Sequence, residues 1–399
     1  MKILVACELS EDALRQLRPL GSDLAYAPRL TAEELPASLA GVGVLVVDAL
    51  RVRPSDIAGA SALQLIVRAG PGPANVAVEE ASTQGVVVSH CPNNDAAAIA
   101  ELAFGLMLAL DRQIVESTDC LNKGRWARGE FLHARGLAGR TLGLVGYDRS
   151  AEAIARRARA FEMQVVAWTP QLAPDRDVDR EVEFCDWPRE VARRSDVVVV
   201  LGAPETEQHV LIDDEFLEAL AEGASLIHLA QIGVIDEAAV ARAVQSRGLR
   251  VALDVHSAAP TADSGKFKSR LMPAAAVIGT QHVGPHTQQA RDAIAAEIVR
   301  IVRTFLMSGD IVNGLNIAER SPAMWQLVCR VRDQVGVMAS ILDAIRADDI
   351  NAQEISSRVF LGAKAALCTI ALDERPSAAA LDAVRAIPDV LHLELRAVV

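Results

Sequence analysis

The sequence predicts a multidomain α/β protein in which two helix-wound parallel sheets precede a small ferredoxin-like unit. Three observations predict it. Short apolar runs alternate with helical patterns along most of the chain. A strand, tight turn and helix at 141–161 carry the spacing of a dinucleotide-binding turn. The last segment spells β-α-β-β-α-β. A chain of 399 residues is also too long for one small domain.

In chain order, strands are expected at Ile3 to Cys7, Val44 to Val47, Leu65 to Val67 and Val86 to Ser89, forming a first sheet. The long Ala/Leu helix Asp95 to Ala109 then carries the chain into a second sheet. From Leu142 onward strands recur at Val165–Trp168, Val197–Leu201, Ser225–Leu229, Val251–Val255 and Ala276–Gly279, with helices in the gaps. The helix Gln289 to Ser308 brings the chain back to close the first domain. The final unit reads as Leu327–Val331, a helix from Gly336 to Ala347, Ala352–Leu361, Ala363–Ala371, a helix from Ala378 to Ala386, and Val390–Ala397. The domain assignment is therefore 1–98 with 289–322, an inserted Rossmann-type doubly wound domain at 99–288, and 323–399.

The turn at 141–161 keeps the fold pattern and changes the chemistry. In a nucleotide-binding turn the pattern is G-x-G-x-x-G; here the three glycine slots hold Gly146, Asp148 and Ala151. The first glycine makes the turn, and alanine is tolerable at the third, where helix and strand pack. The second lies against the cofactor pyrophosphate, and Asp148 puts a carboxylate there. At ~4 Å and an effective dielectric of ~20, one such charge pair costs ~4 kcal/mol, roughly a thousandfold in affinity. The same carboxylate at a helix N-terminus accepts free N–H groups and opposes the helix dipole. It can therefore fill the anion site itself. The second strand of the unit ends in Thr169, where an acidic residue would hold the NAD ribose hydroxyls. Arg149 is the one residue there that could serve an NADP 2′-phosphate.

Composition narrows the function classes. A formal net charge of −12 and an isoelectric point near 5.2 argue against nucleic acid or an anionic membrane surface as partner. Six scattered cysteines without a C-x-x-C pair read as core residues of a reducing compartment. The first residues enter a strand at once, and no apolar run approaches ~18 residues; a cytoplasmic location without signal peptide or membrane span is expected. Five histidines (His90, His228, His256, His282 and His286) fall at or just past strand ends, where α/β folds place their ligand crevice. A metal site is conceivable, but scattered strand-end histidines read as hydrogen-bonded crevice residues, and no metal is expected.

Several stretches together carry a resemblance. They are Val67-Arg-Ala-Gly-Pro-Gly-Pro-Ala-Asn75, Ala100-Glu-Leu102, Gly139-Arg-Thr-Leu-Gly-Leu-Val-Gly146, Gly233-Val-Ile-Asp-Glu-Ala-Ala239 and Ala252-Leu-Asp-Val255. In this order they resemble the D-2-hydroxyacid dehydrogenases, and among them the D-3-phosphoglycerate dehydrogenases that end in an ACT domain. The resemblance spans essentially the whole chain. It implies a flavodoxin-like substrate domain, an inserted Rossmann domain and a ferredoxin-like ACT domain. It also implies a homodimer through the Rossmann domains, or a tetramer through ACT pairing.

The family's chemistry needs a histidine to exchange the hydroxyl proton, a carboxylate to hold that histidine, and an arginine fork for the substrate carboxylate. By resemblance these positions hold His282, Ala259 and Gln231, so one catalytic residue of three remains. Gln231 brings neither charge nor fork. The substrate loop becomes Asn93-Asn94-Asp95-Ala96, and a further arginine position holds Asp48. Arg68, Gly70, Gly72, Asn75 and Asp95 are the expected cleft residues, with Arg68 the main cation. The ACT-like loop Arg332-Asp-Gln-Val-Gly-Val337 offers Asp333 to an amino group and Gly336 for close backbone approach, so an amino-acid ligand is one expectation and a purely structural dimerisation module the other. Met324 and Trp325 are expected to pack at an interface or core.

The sequence thus favours a pseudoenzyme, a scaffold or ligand sensor with no cofactor and a protein partner. The alternative is an NAD-dependent D-2-hydroxyacid (3-phosphoglycerate) dehydrogenase of serine biosynthesis using His282 and Arg68.

Overall fold

The computed structural model describes all residues except 74, 171–180, 203–209, 261–263, 273, 275, 319–321 and 399. The described chain divides into two compact units, Met1–Asn316 and Ile317–Val399. The domain boundary expected at 322 adjoins 319–321, which lie outside the described residues.

The first sheet joins β1 (Lys2–Ala6), β2 (Asp23–Tyr26), β3 (Val42–Val47), β4 (Leu65–Arg68) and β5 (Val87–His90) in the order β2-β1-β3-β4-β5. All its pairs are parallel, so helices cover both faces, and the inner strands are apolar except for Lys2 and Arg68 at their ends. β3 is buried at every residue. β2 escaped the sequence reading because its Asp23–Tyr26 run is partly exposed at the sheet edge.

The second sheet joins β6 (Thr141–Val145), β7 (Gln164–Trp168), β8 (Val182–Phe184), β9 (Val197–Val200), β10 (Ser225–His228), β11 (Arg250–Leu253) and β12 (Val277–Gly279). Its order is β12-β11-β10-β9-β6-β7-β8, again parallel throughout. The strand order reverses between β6 and β9, the switch point where such sheets open a crevice. β8, another short edge strand, was also missed in the sequence.

Two helices tie the sheets together. Helix Ala96–Arg112 runs one turn further than expected and buries Ala100, Ala103, Phe104, Met107 and Leu110 in the core of the second sheet. Helix Gln288–Ser308 packs Ala295, Ile298, Val299, Ile301 and Val302 against Ile3, Val5 and Leu14 of the first. Beneath the first of these helices, Arg140 reaches Asp111 at 3.0 Å, both side chains less than a tenth exposed. Asp111 also accepts the Gly136 N–H at 3.0 Å, which anchors the segment leading into β6.

The second unit is an antiparallel sheet of β13 (Trp325–Arg332), β14 (Ala352–Val359), β15 (Ala365–Leu372) and β16 (Val390–Ala397) in the order β14-β15-β13-β16. Helices Val337–Arg346 and Ala378–Arg385 share its core through Val337, Ile341, Ile345, Ala380 and Val384. Met324 is 58% exposed, while Trp325 is half-buried with the Arg375 guanidinium 5.1 Å above its ring. All six cysteines are buried and none is in a disulfide. Among the described residues no helix is long and apolar enough to cross a membrane.

Removing Asp111 takes the nearest carboxylate from the buried Arg140 guanidinium and leaves it Asp196, at 3.9 Å, as its ionic partner. Asp111→Ala is expected to lower unfolding free energy by about 3 kcal/mol, read as a reduced denaturation midpoint with an unchanged slope. An unaltered midpoint would mean the pair contributes nothing net.

Candidate functional site

The carboxyl ends of β1, β3 and β4 from the first sheet and of β10, β11 and β12 from the second line one cleft of about 890 Å³. Its wall brings together Arg68, Gly70, Asp95, Asp48 and His282. It leaves out Gly72, Asn75, Gln231 and Ala259. Asn75 instead donates its side-chain amide to the Leu50 carbonyl, bracing a loop. Gly72, at φ +66°, donates its N–H to His90 Nδ1 at 3.0 Å. Gln231 and Ala259 are exposed. Ala74, in the same stretch as these glycines, lies outside the described residues. Arg68 is not alone as a cation, since Arg291 at the start of the return helix also lines the wall. The Arg68 guanidinium folds back to donate Nη1 to the Pro71 carbonyl at 2.5 Å.

The turn after β6 is built around a close backbone approach. Gly146 has φ +93°, and a Cβ there would overlap the Gly202 carbonyl oxygen past β9. Asp148 then caps helix Arg149–Ala160: its Oδ1 accepts the N–H groups of Ser150 and Ala151, each at 2.9 Å. Ala151 is fully buried, with no exposed surface. Those two N–H groups are the donors that would meet a pyrophosphate. The turn therefore carries its own anion on these two donors. Thr169 follows β7 and is buried.

Asp95 adds to this field at the start of helix Ala96–Arg112, where its side chain makes no capping hydrogen bond. Burial pushes its carboxyl above the usual range and the Asp148 charge adds to that, while its own backbone N–H, Arg68 and His286 pull the other way. The Cys7 thiol on the wall is pushed up to about 12 by burial, with Asp48, Cys91 and Glu8 adding, so it is no thiolate nucleophile.

His282 sits on the wall in the left-handed region at φ +53°. Its conformation is imposed by Asp254, a buried residue that the sequence reading quoted in a motif without giving it a role. Asp254 takes the Thr280 hydroxyl at 2.5 Å, the Val283 N–H at 2.8 Å and the Gly284 N–H at 2.9 Å, and its carbonyl takes the His282 N–H at 2.8 Å. A carboxylate collecting three hydrogen bonds fixes this turn against the cleft. The sequence signal was an acidic residue at the end of an apolar strand. The His282 ring makes an edge-to-face contact with His286, centroids 6.3 Å apart, and no carboxylate among the described residues hydrogen-bonds it.

The remaining strand-end histidines go elsewhere. His228 and His256 are buried, and His256 Nε2 lies 2.7 Å from the Thr280 carbonyl. Among the described residues no group of three or more metal-ligating side chains is placed to hold an ion. In the second unit, Asp333 donates its backbone N–H to the Lys364 carbonyl at 3.2 Å. Gly336 has φ +91° with open space where a Cβ would stand. It is needed for its backbone angle rather than for close approach.

Comparison with known proteins places this geometry. The sequence model of the D-isomer specific 2-hydroxyacid dehydrogenase NAD binding domain matches residues 104–284. The chain is 31% identical over 349 residues to D-3-phosphoglycerate dehydrogenase of Methanocaldococcus jannaschii, covering 86% of this chain and 65% of that protein. It is 32% identical over 272 residues to hydroxypyruvate reductase of Thermotoga maritima, covering 68% and 87%. The chain spans 57–65% of the length of the phosphoglycerate dehydrogenases it first matches. Among solved structures, the TT0316 protein of Thermus thermophilus superposes with a TM-score of 0.67 at 28% identity, covering 79% of this chain and all of that one. An acyclic imino acid reductase in complex with NADPH and D-Arg has a TM-score of 0.69 at 20% identity over the same share, a likeness of fold alone.

Burial pushes the His228 imidazole down from 6.5 to about 4. The unfolded chain therefore binds a proton that the folded chain refuses. Stability is expected to be unaffected by this residue above pH 6.5, to fall as pH drops through the interval to about 4, and to level off below it. The loss approaches about 3 kcal/mol. Urea titrations of the native chain and His228→Asn across that interval read it, and identical acid slopes in both would refute it.

Proposed function

The chain belongs to the D-2-hydroxyacid dehydrogenase family, and on that premise we propose that it is a non-catalytic member, a scaffold or ligand sensor that does not use NAD. The observation that carries this reading is the Asp148 carboxylate seated on the N–H groups of Ser150 and Ala151. A pyrophosphate would have to displace it and then lie beside it, with Asp95 adding a second acidic group nearby. Three further positions point the same way at separate steps. Thr169 stands where the ribose would be held, Gln231 is exposed off the cleft wall, and Ala259 leaves His282 without an orienting carboxylate.

Two features belong to the same proposal. Ile114, Val115, Leu121, Trp126 and Leu132 are exposed between the crossover helix and β6, in keeping with self-association through this region. The Asp333 and Gly336 loop of the second unit is the candidate point for an amino-acid ligand.

A second reading is favoured by one observation: His282 lies on the wall of the cleft with Arg68 and Arg291, its turn pinned by Asp254. In that reading the chain is an NAD-dependent D-2-hydroxyacid dehydrogenase, and the phosphoglycerate dehydrogenases it resembles name the substrate.

Calorimetric titration with NADH and NADPH, on protein freed of bound nucleotide, separates the two. The native chain is expected to give no binding heat at millimolar nucleotide. Asp148→Gly is expected to recover affinity by up to roughly a thousandfold, while Asp148→Ala also costs about 1 kcal/mol of stability through the lost cap. A micromolar constant for the native chain would overturn the non-catalytic reading.

A further inference from the structure

A second cavity of about 380 Å³ lies in the same unit as the cleft, on the side of the second sheet covered by helix Glu237–Arg247. Its walls are braced. Leu211 and Ile212 donate their N–H groups to the Val234 carbonyl at 2.9 and 3.1 Å, and Asp236 donates to Ile212 at 3.0 Å. The Ser257 N–H reaches Glu237 Oε1 at 3.2 Å, tying the exit of β11 to the helix start.

At its border stands His228, the last residue of β10, only 2% exposed. Its Nδ1 is buried and has no hydrogen-bond partner among the described residues, a costly state for a ring nitrogen. Burial keeps this imidazole neutral at physiological pH, so it offers one N–H and one lone pair.

The charges around it select the ligand. Asp236 already caps the helix, taking the Ala238 and Ala239 N–H groups at 2.8 and 3.1 Å on one oxygen. The Ala238 and Ala239 N–H groups are therefore already taken, and Arg270 is the cationic residue among those that line the cavity. Asp236 and Glu237 each keep a second carboxylate oxygen for a cation. Ile232, Ile235 and Val255 supply an apolar wall.

We infer that this cavity is a binding site for a small zwitterion of the α-amino-acid class, with Arg270 on its carboxylate, Asp236 and Glu237 on its ammonium, and His228 completing the contact at depth. The site is independent of whether the Rossmann turn binds a nucleotide and of the Asp333 loop.

The test is calorimetry on the full chain with L-valine, isobutylamine and isobutyrate as probes, alongside NMR of the histidine ring nitrogens. Valine is expected to bind one site here and shift the His228 resonances, with the amine-only and carboxylate-only probes weaker. Arg270→Ala, at an exposed position, is expected to weaken valine about tenfold or more, and His228→Asn to do likewise. Asp333→Ala is expected to leave this binding unchanged. Unmoved His228 resonances with valine overturn the inference. So does valine binding that survives Arg270→Ala, or an isobutylamine or isobutyrate constant equal to that of valine.

Discussion

Gly146 has no side chain, and the structure depends on that. At the point where the second sheet reverses its strand order, the turn after β6 presses directly on the Gly202 carbonyl past β9. Any Cβ would force the two strand exits apart. Helix Arg149–Ala160 starts directly after this turn, at the switch point of the sheet. A helix start in that position is an anion site by geometry, whatever anion fills it. In this chain the anion is covalent: Asp148 is two residues past the glycine and reaches both Ser150 and Ala151.

The consequence spreads into the cleft. A carboxylate at this turn sits within electrostatic reach of Asp95, so the entry edges of two helices both carry acid. Desolvation and mutual repulsion push in one direction on Asp95, and Arg68 and His286 oppose them only in part. The wall of the cleft thus carries Asp48 and Asp95 together with Arg68 and Arg291. Both helix starts at the crevice therefore carry a carboxylate, Asp148 on one and Asp95 on the other.

Asp254 contrasts with Asp148. Both are carboxylates at strand exits and both collect backbone N–H groups, yet Asp254 holds the turn that carries His282. Its hydrogen bonds to Thr280, Val283 and Gly284 hold His282 at a left-handed backbone angle on the cleft wall. The turn has a structural reason of its own, because losing the Asp254 carboxylate would take the acceptor from the Val283 and Gly284 N–H groups and from the Thr280 hydroxyl. A well-placed His282 is therefore no measure of catalysis.

The sequence by itself determined the fold class, because that class rests on periodicity. Apolar runs such as Val44 to Val47 and Val197 to Val200 are readable as buried parallel strands, and the β-α-β-β-α-β order of the last segment follows from local pattern. It also located the loss of the second turn glycine at Asp148, since that position is fixed by spacing within one short unit. Edge strands β2 and β8 were not legible, because exposure on one side removes the apolar run that marks an inner strand. Tertiary structure alone decided which strand-end residues meet. Asn75 and Gly72 turned to brace loops, Arg291 arrived from a distant helix, and His228 went into a cavity of its own. The physical reason is that periodicity reports which face of an element is buried. Which strand exits converge depends on sheet order and on contacts between residues far apart in the chain.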